Sequence, residues 1–258
     1  MSTKIHPTAM VHPGAVLDEH VTVGAYAIVG ENVKLGANTV LDPFAQVLGF
    51  TELGKNCRLF SYAVVGNIPQ DLKYCYDETY LKIGDNNQFR EFCTVNPGTL
   101  KGTETRIGNN NLFMTYAHVA HDCIVGDNNI FANNATLAGH VTVGNKAILG
   151  GLVAVHQFCR VGDHAIVGGC SKVTQDMPPY SMSDGHPAKI CGINLVGLRR
   201  AKFPNDLIRQ IKQSFKLLFF ENHSFEQAAA LVREEIPKSK EVENLLSFVE
   251  SSKRGVSR

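Results

Sequence analysis

Apolar side chains recur along this chain at every sixth position. From Ile107 to Val173 the sixth residue is always Ile, Val, Leu or Phe. The same frame runs back to Ile5, and its exceptions are Asp71, Asp77 and Lys101. A spacing of six matches neither the 3.6-residue period of an amphipathic helix nor the alternation of a half-buried strand. The pattern therefore indicates a repeat architecture, which decides the fold before any single element is assigned.

The hexads predict a coil with three short, flat faces. Each face sends one apolar side chain into the interior, and the residue four places later is usually small enough for a corner, as at Ala27, Ala63 and Ala135. Stacked coils pair backbone to backbone at about 4.8 Å, because no coil can bury its apolar side alone. We therefore predict a mainly β protein in which residues 1–177 form a parallel β-helix and residues eighteen apart lie above one another.

Two segments interrupt the hexads. Residues 66–82 carry charged and aromatic side chains, and residues 98–106 are rich in Gly and Thr. Neither segment is expected to supply an interior residue, so both are predicted to leave the solenoid as excursion loops. Loops on a rigid scaffold often carry binding residues.

The hexads end after Val173, near Pro178 and Pro179. Apolar stripes at helical spacing follow from about residue 194, and Ser224 with Gln227 has the spacing of a capping box. We therefore predict that residues 178–258 form a small C-terminal α-helical domain. Such a domain would cover the strand edges at that end of the solenoid.

Composition excludes several classes of protein. With 258 residues, 44% apolar and 19% charged, and a net charge of +1, the chain is typical of a globular protein. It contains no run of about 18 apolar residues that could span a membrane. The hexads begin at Ile5, so we expect no signal peptide and a cytoplasmic location. The seven cysteines include no C-x-x-C pair, and we interpret those at corner positions as reduced packing residues (Cys57, Cys93, Cys123 and Cys159).

Candidate chemistry concentrates in three successive coils. His121, Gly139 and Gln157 lie eighteen residues apart, and His140 and His156 lie one place beside that column. An imidazole is a ready general base near neutral pH. Asp122 could hold the tautomer of His121 if a corner brings these neighbours together, and the Gly139 N–H could stabilise an oxyanion. Because no nucleophilic motif is present, we expect a substrate hydroxyl or amine to attack an activated acyl group directly.

Five strings carry a resemblance to a known family. QDLKY (70–74), AHDC (120–123), ANNATLAGHV (132–141), AVHQF (154–158) and GGCS (168–171) resemble the left-handed β-helix acyltransferases, most closely the UDP-N-acetylglucosamine O-acyltransferases of lipid A synthesis. The resemblance runs nearly end to end. It implies a left-handed coil and a homotrimer with its active sites between subunits. It also implies transfer of a 3-hydroxyacyl chain from acyl carrier protein to the sugar 3-hydroxyl, without a cofactor, a metal or a nucleic-acid partner.

The same resemblance implies a role for individual residues. His121 would be the base, supported by Asp122, and the Gly139 N–H would receive the thioester oxyanion. The remaining substrate contacts would come from Asp71, Lys73, His118, His140, His156, Gln157, Asn194 and Arg200, the last two holding the nucleotide. The acidic carrier protein would dock on Arg209, Lys212 and Lys216. Gly169, one coil above Gly151, would leave the acyl groove open for a chain of about fourteen carbons.

Some features depart from the family pattern, and alternatives stay open. The string VNPGT (95–99) stands where the family shows IHRGT, and Val196 and Ala201 replace an acidic and a basic residue. These departures concern nucleotide and acceptor recognition and leave the His121 machinery unchanged. One alternative is a hexapeptide N-acyltransferase acting on an amino sugar. Another is a zinc hydratase of the γ-carbonic anhydrase type, which needs three converging ligands.

Overall fold

Short parallel strands build most of the molecule. The structure is a computed structural model and describes residues 3–258. Its solenoid strands are β1 (Lys4–Ile5), β2 (Met10–Val11), β3 (Val16–Leu17), β4 (Thr22–Val23), β5 (Ile28–Val29), β6 (Lys34–Leu35), β7 (Val40–Leu41), β8 (Gln46–Val47), β9 (Phe50–Leu53), β10 (Arg58–Leu59), β11 (Val64–Val65), β12 (Tyr80–Ile83), β13 (Gln88–Phe89), β14 (Thr94–Val95), β15 (Glu104–Ile107), β16 (Leu112–Phe113), β17 (His118–Val119), β18 (Ile124–Val125), β19 (Ile130–Phe131), β20 (Thr136–Leu137), β21 (Thr142–Val143), β22 (Ile148–Leu149), β23 (Ala154–Val155), β24 (Arg160–Val161), β25 (Ile166–Val167) and β26 (Lys172–Val173).

The strands form three parallel sheets, one for each face of the coil. The first sheet takes β1 and every third strand to β25, the second runs from β2 to β26, and the third from β3 to β24. Partner residues are eighteen apart, as Val125 and Val143 are. Across the excursions Val65 pairs with Val95, which in turn pairs with Val119. Each excursion therefore adds a multiple of six residues, and this keeps the hexad frame intact.

The sixth-position side chains form one continuous core. Outside the excursions they are buried from Val23 to Val173, and small residues line the corners. In the first coil Ile5 is 49% exposed, and Val11 and Leu17 are only partly buried. No described residue covers that end of the solenoid. The predicted parallel β-helix is confirmed, and its stability depends on each coil covering the next.

The corner cysteines are packing residues, as their positions suggested. Cys57, Cys93, Cys123 and Cys159 are buried free thiols. Burial raises the pKa of Cys93 and of Cys123 to about 12. These thiols therefore stay protonated at neutral pH and do not act as nucleophiles.

Both excursions end earlier than the hexad frame suggested. β12 begins at Tyr80 and β15 at Glu104, and both belong to the third sheet, where β12 pairs in parallel with β9 and β15 pairs in parallel with β12. In these four-residue strands alternate side chains point inward, so Leu81 and Thr105 are fully buried. The interpretation that residues 66–82 and 98–106 supply no interior residue is therefore wrong, for Leu81 in the first segment and for Thr105 in the second. A frame of six could not detect them, because these strands follow a period of two.

A β-hairpin separates the solenoid from the helices. β27 (Ser181–Gly185) pairs in parallel with β25, and β28 (Ala188–Ile193) then pairs with β27 in the antiparallel sense. The first sheet therefore continues beyond the hexads. The helical period predicted from about residue 194 agrees with the first helix, which begins at Leu195. The hairpin before it, which the sequence assigns to the helical domain, is strand instead. In β27 the buried positions hold Ser181 and Ser183 while Met182 is 44% exposed, so hydrophobicity does not show the alternation.

Four helices close the C-terminal end. They are α1 (Leu195–Arg200), α2 (Asn205–Phe215), α3 (Phe225–Glu235) and α4 (Lys240–Glu250), and a π-helical turn (Lys216–Phe220) continues α2. The predicted capping box between Ser224 and Gln227 is formed. The helices have their own core, which includes Ile211, Phe215 and Leu246.

An ion pair fastens the helical domain to the solenoid. Asp176 is 1% exposed, and one carboxylate oxygen accepts hydrogen bonds from Arg160 Nε and Ser252 Oγ, both at 2.8 Å. Arg160 also donates to the Phe248 carbonyl oxygen at 2.7 Å. Removal of Arg160 would leave the Asp176 charge buried without its counter-ion, which is strongly destabilising.

Candidate active site

The candidate site lies at the turn between the second and third sheets. β17 ends at Val119, and β18 begins at Ile124, so His121 and Asp122 form the turn. Asp122 has a φ of 57°, in the left-handed region that is unusual for a residue with a side chain. This backbone brings the two side chains to the same side, with His121 Nδ1 and Asp122 Oδ2 2.8 Å apart. On a straight strand they would point apart.

The Asp122 carboxylate is held as an anion. Thr99 Oγ1 donates a hydrogen bond to Asp122 Oδ2 at 2.7 Å, and His140 Nε2 lies 3.8 Å from the same oxygen. Burial by itself would raise the pKa of Asp122, but hydrogen bonds from Thr99 and His121 hold it below its ordinary value. An anion beside Nδ1 keeps the proton on that nitrogen. The lone pair of His121 Nε2 is therefore free to accept a proton.

Gly139 lies directly against the His121 ring, one coil away. A Cβ at position 139 would lie 2.5 Å from His121 Nε2, so a residue other than glycine would displace the imidazole. Within residues 3–258 the Gly139 N–H has no acceptor, whereas His140 N donates to the His121 carbonyl oxygen at 3.0 Å. A free N–H beside a proton-accepting nitrogen is a suitable donor for an oxyanion.

The first excursion approaches the other side of the imidazole. Asp71 Oδ2 lies 3.7 Å from His121 Nε2, and Lys73, two residues on, is exposed. Asn96, in the VNPGT string, is buried and donates from Nδ2 to the carbonyl oxygens of Asn67 and Ile68 at 3.1 and 3.2 Å. The departure at Asn96 therefore anchors the base of the excursion that carries Asp71.

His118 faces the same cleft from β17. Its Nδ1 lies 2.7 Å from Thr94 Oγ1. Burial lowers the pKa of His118, and the proximity of His121 lowers it further. His118 is therefore neutral at pH 7, and it adds a polar group without adding charge.

The next two coils continue the polar column. The His140 ring stacks on Phe158 with 4.7 Å between centroids and meets the His121 ring edge to face at 5.2 Å. His156 and Gln157 are exposed beyond them, and Arg254 Nη2 lies 3.0 Å from His156 Nδ1. Sequence reasoning gave no role to Thr99 or Arg254, because each reaches the column from a segment outside the hexads.

The two expected nucleotide residues lie at the two ends of α1. Asn194 is buried at the start of α1, where its side chain accepts from Gly197 N at 3.0 Å and donates to the His164 carbonyl oxygen at 2.8 Å. His164 belongs to the turn between the third and first sheets, a different corner from that of His121. Arg200 is exposed at the other end of α1. A single chain therefore does not bring Asn194 to the His121 turn.

The basic face of the helical domain is exposed but partly neutralised. Arg209 forms an ion pair with Asp206, and Lys216 Nζ lies 3.0 Å from Glu221. Among the described residues Lys212 has no acidic partner within salt-bridge distance. Lys212 is therefore the cation of this face that is most available to an incoming carboxylate.

Gly151 and Gly169 stack at the turn between the first and second sheets. A Cβ at Gly169 would lie 3.2 Å from the Gly151 carbonyl oxygen, and one at Gly151 would lie 3.5 Å from that of Asn133. The stacking expected from the spacing is therefore present. At these two positions the wall carries no side chain, and the neighbouring turn positions hold the exposed Leu152 and Cys170.

The donor atoms at the turn do not match the three-histidine zinc site of the alternative interpretation. His121, Asp122 and His140 each bring one possible ligand atom to within 4.8 Å of the others. This is the one such cluster in residues 3–258, and it contains two histidines. His118, which could have been a third, lies outside this cluster.

The stacked hexads and the paired His121 and Asp122 define an acyltransferase of the hexapeptide-repeat class. The model of the bacterial hexapeptide transferase repeat matches residues 104–139, and the model of UDP-N-acetylglucosamine O-acyltransferase domain 2 matches residues 176–257. The solved UDP-N-acetylglucosamine O-acyltransferase of Moraxella catarrhalis superimposes with a TM-score of 0.94 at 40% identity, over 98% of this chain and 99% of that one.

Curated relatives are similar along the whole chain. The acyl-[acyl-carrier-protein]–UDP-N-acetylglucosamine O-acyltransferase of Psychrobacter sp. is 50% identical over 258 residues, covering 99% of this chain and 100% of its own. That of Thermodesulfovibrio yellowstonii is 44% identical, covering 99% of both chains. The chain belongs to the UDP-N-acetylglucosamine O-acyltransferase family, and its coil is the left-handed β-helix of that family.

Proposed function

We propose that this acyltransferase moves a 3-hydroxyacyl chain from acyl carrier protein to the 3-hydroxyl of UDP-N-acetylglucosamine, the first step of lipid A synthesis. Full-length similarity to enzymes named for this reaction supports the donor and the acceptor. The observation that carries the mechanism is the His121 ring, bonded to Asp122 through Nδ1 at 2.8 Å and packed against Gly139.

The proposed chemistry needs no covalent enzyme intermediate. His121 Nε2 accepts the proton of the sugar hydroxyl while that oxygen attacks the thioester carbonyl carbon. The Gly139 N–H donates to the oxyanion that forms, and Asp122 stabilises the imidazolium. Collapse of the tetrahedral intermediate expels the phosphopantetheine thiolate, which takes the proton back from His121. The donor brings its own phosphopantetheine, so we propose that no bound cofactor is required.

Substrate contacts are assigned around this turn. Asp71 and Lys73 would bind the glucosamine and its phosphates beside His118 and His140, and His156 and Gln157 would line the path of sugar and acyl chain. Asn194 lies away from the His121 turn of its own chain, and Arg200 is on the same short helix. We therefore propose a homotrimer in which a neighbouring subunit supplies them to the nucleotide, and a cytoplasmic location where acyl carrier protein is available. No helix in residues 3–258 is long and apolar enough to cross a membrane.

Product analysis tests the proposal directly. The protein is incubated with UDP-N-acetylglucosamine and a mixed pool of 3-hydroxyacyl carrier proteins, and the products are identified by mass spectrometry. We expect a mono-O-acylated sugar nucleotide whose chain is about fourteen carbons long. His121→Ala is the matched control and should form about a hundredth of the product, or less, in the same time. An N-acylated product, or none from the wild type, would overturn the assignment.

A further inference from the structure

The Thr99 hydroxyl is a buried polar group that the mechanism above does not use. Thr99 is 6% exposed and belongs to the second excursion, outside the hexad columns. Its Oγ1 donates to Asp122 Oδ2 at 2.7 Å, and that oxygen also lies 2.8 Å from His121 Nδ1. A hydroxyl and an imidazole therefore converge on one carboxylate oxygen.

The second excursion is braced so that this hydroxyl stays in place. Asn96 N donates to the Val119 carbonyl oxygen at 3.0 Å, one coil away, and Leu100 N donates to Thr103 Oγ1 at 3.1 Å. Gly98 N and Gly102 N donate to carbonyl oxygens of β12 and of the first excursion, at 3.2 and 2.9 Å. The backbone on both sides of Thr99 is therefore fixed. The Thr99 hydroxyl donates to Asp122 Oδ2.

We propose that Thr99 is a positioning residue that holds the Asp122 carboxylate in the orientation required by His121. This proposal rests on the proposed function, because it concerns the same general base. The Thr99 hydroxyl is bonded to the carboxylate and not to the imidazole, so it acts on the base through Asp122. The second excursion is thereby a support of the catalytic turn.

The charges around Asp122 determine how the loss of this hydroxyl would be detected. His121 and His140 face the carboxylate directly, and Asp71 and His118 lie beyond the His121 ring. The Thr99 donor disperses negative charge on Oδ2. Without it, the carboxylate would hold the proton of a protonated His121 more tightly. The acid limb of the kcat/KM profile should therefore move to higher pH, while the less fixed carboxylate slows the reaction.

Three variants test the assignment. Thr99→Val keeps the shape and removes the donor, and we expect kcat/KM to fall about 10- to 100-fold, the usual effect of losing a hydrogen bond to a charged group. Thr99→Ser keeps the donor and should restore most of the activity and the wild-type pH profile. Thr105→Val is the matched control, because Thr105 is also fully buried but its hydroxyl has no partner among the described residues. It should leave kcat/KM and its pH profile unchanged.

A double-substitution cycle separates positioning from a general structural role. If Thr99 acts through Asp122, Thr99→Val should cause less than about a twofold further loss in an Asp122→Ala background. Equal losses in both backgrounds would overturn the proposal, as would a Thr99→Val enzyme with wild-type kcat/KM and pH profile. These outcomes are distinct from a failure of the proposed function, which would show as full activity in His121→Ala or as no acyl transfer by the wild type.

Discussion

The turn between the third and first sheets and the turn between the second and third sheets have the same backbone, with a residue of positive φ in second place (Asn128 and Asp122). In the turn between the third and first sheets, the side-chain oxygen of the first turn residue accepts a hydrogen bond from the backbone N–H of the equivalent residue one coil earlier. Asn109 N donates to Asp127, Asp127 N to Asn145, and Asn145 N to Asp163, at 2.6 to 2.8 Å. In the turn between the second and third sheets, the equivalent positions hold His121, Gly139 and Gln157. Among the described residues these three form no such series of side-chain to backbone hydrogen bonds.

The difference shows how one repeat serves both stability and chemistry. A satisfied backbone N–H contributes to stability, whereas an unsatisfied one is available to a substrate. Gly139 has no side-chain oxygen to accept a hydrogen bond from the His121 N–H in the coil before it, and its own N–H is left free. The His121 side chain is likewise directed to Asp122 and not along the column. The candidate catalytic groups therefore lie at the turn where the hydrogen bonds between equivalent residues of successive coils are absent.

The largest expected effect comes from His121. His121→Ala should lower kcat by about 10²- to 10⁴-fold, because a general base contributes that much, and should leave the melting temperature within about 2 °C of the wild type. The equivalent change in the other turn, Asp127→Ala, should do the opposite, lowering the melting temperature and preserving kcat. Steady-state kinetics and thermal unfolding measure both. A His121→Ala enzyme with more than half the wild-type kcat would remove His121 from the mechanism.

Gly139→Ala tests the close approach in the catalytic turn. The added Cβ would collide with the His121 ring, and a displacement of about 1 Å costs up to about 10²-fold in rate. We expect kcat to fall about 10- to 100-fold. Gly30→Ala is the control, since its Cβ would lie 3.4 Å from the nearest heavy atom without strain. Equal kinetics for the two variants would show that the ring can move without loss.

Asn87, Asn111 and Asn129 form a buried column of hydrogen-bonded residues, and substitution in this column should change stability but not kcat. Asn111 is 1% exposed, accepts from Asn129 N at 2.8 Å and donates to Asn87 Oδ1 at 3.0 Å. Asn111→Ala would leave buried polar groups unpaired and lower the free energy of unfolding by about 1–3 kcal/mol. Chemical denaturation measures the change. A fall in kcat without a loss of stability would show that the turn beside Asn111 influences the catalytic turn at His121.

Gly169→Met examines the remaining turn, between the first and second sheets. A Met side chain there would fill the open wall above Gly151 and overlap the last methylenes of a long acyl chain, each contributing about 0.8 kcal/mol when buried. The ratio of kcat/KM for fourteen- and ten-carbon donors should fall by about tenfold or more. An unchanged ratio would mean that the groove does not end at Gly169, and the proposed chain length would fail with it.

The smallest expected effect lies outside all three turns, on the helical domain. Reversing the charge at Arg209, Lys212 and Lys216 should raise KM for acyl carrier protein a few-fold and leave kcat unchanged, because exposed ion pairs contribute about 1 kcal/mol or less. The effect should fade at high salt, where screening acts over a few ångströms. Lys238→Glu, an exposed change elsewhere in the domain, is the control. An unaltered KM would place the carrier protein on another surface.

The sequence by itself determined the repeating parts of this protein. Every coil repeats the same local properties: the period of six, the eighteen-residue stacking and the small corner residues. One sequence therefore contains many copies of the pattern, and the pattern can be recognised without an alignment. It also placed His121, Gly139 and Gln157 in one column, because no excursion interrupts the eighteen-residue register between them. The capping box was equally readable, since it depends on two residues three positions apart.

Only the tertiary structure decided what happens where the repeat is broken. The left-handed backbone of Asp122 turns its side chain toward His121, and the second excursion delivers Thr99 to the same carboxylate. The inward Leu81 and the hairpin before α1 follow a two-residue period that the hexad frame cannot show. These features depend on loop paths and on pairing between segments far apart in the chain. Their geometry is fixed by long-range packing, and no local pattern encodes it.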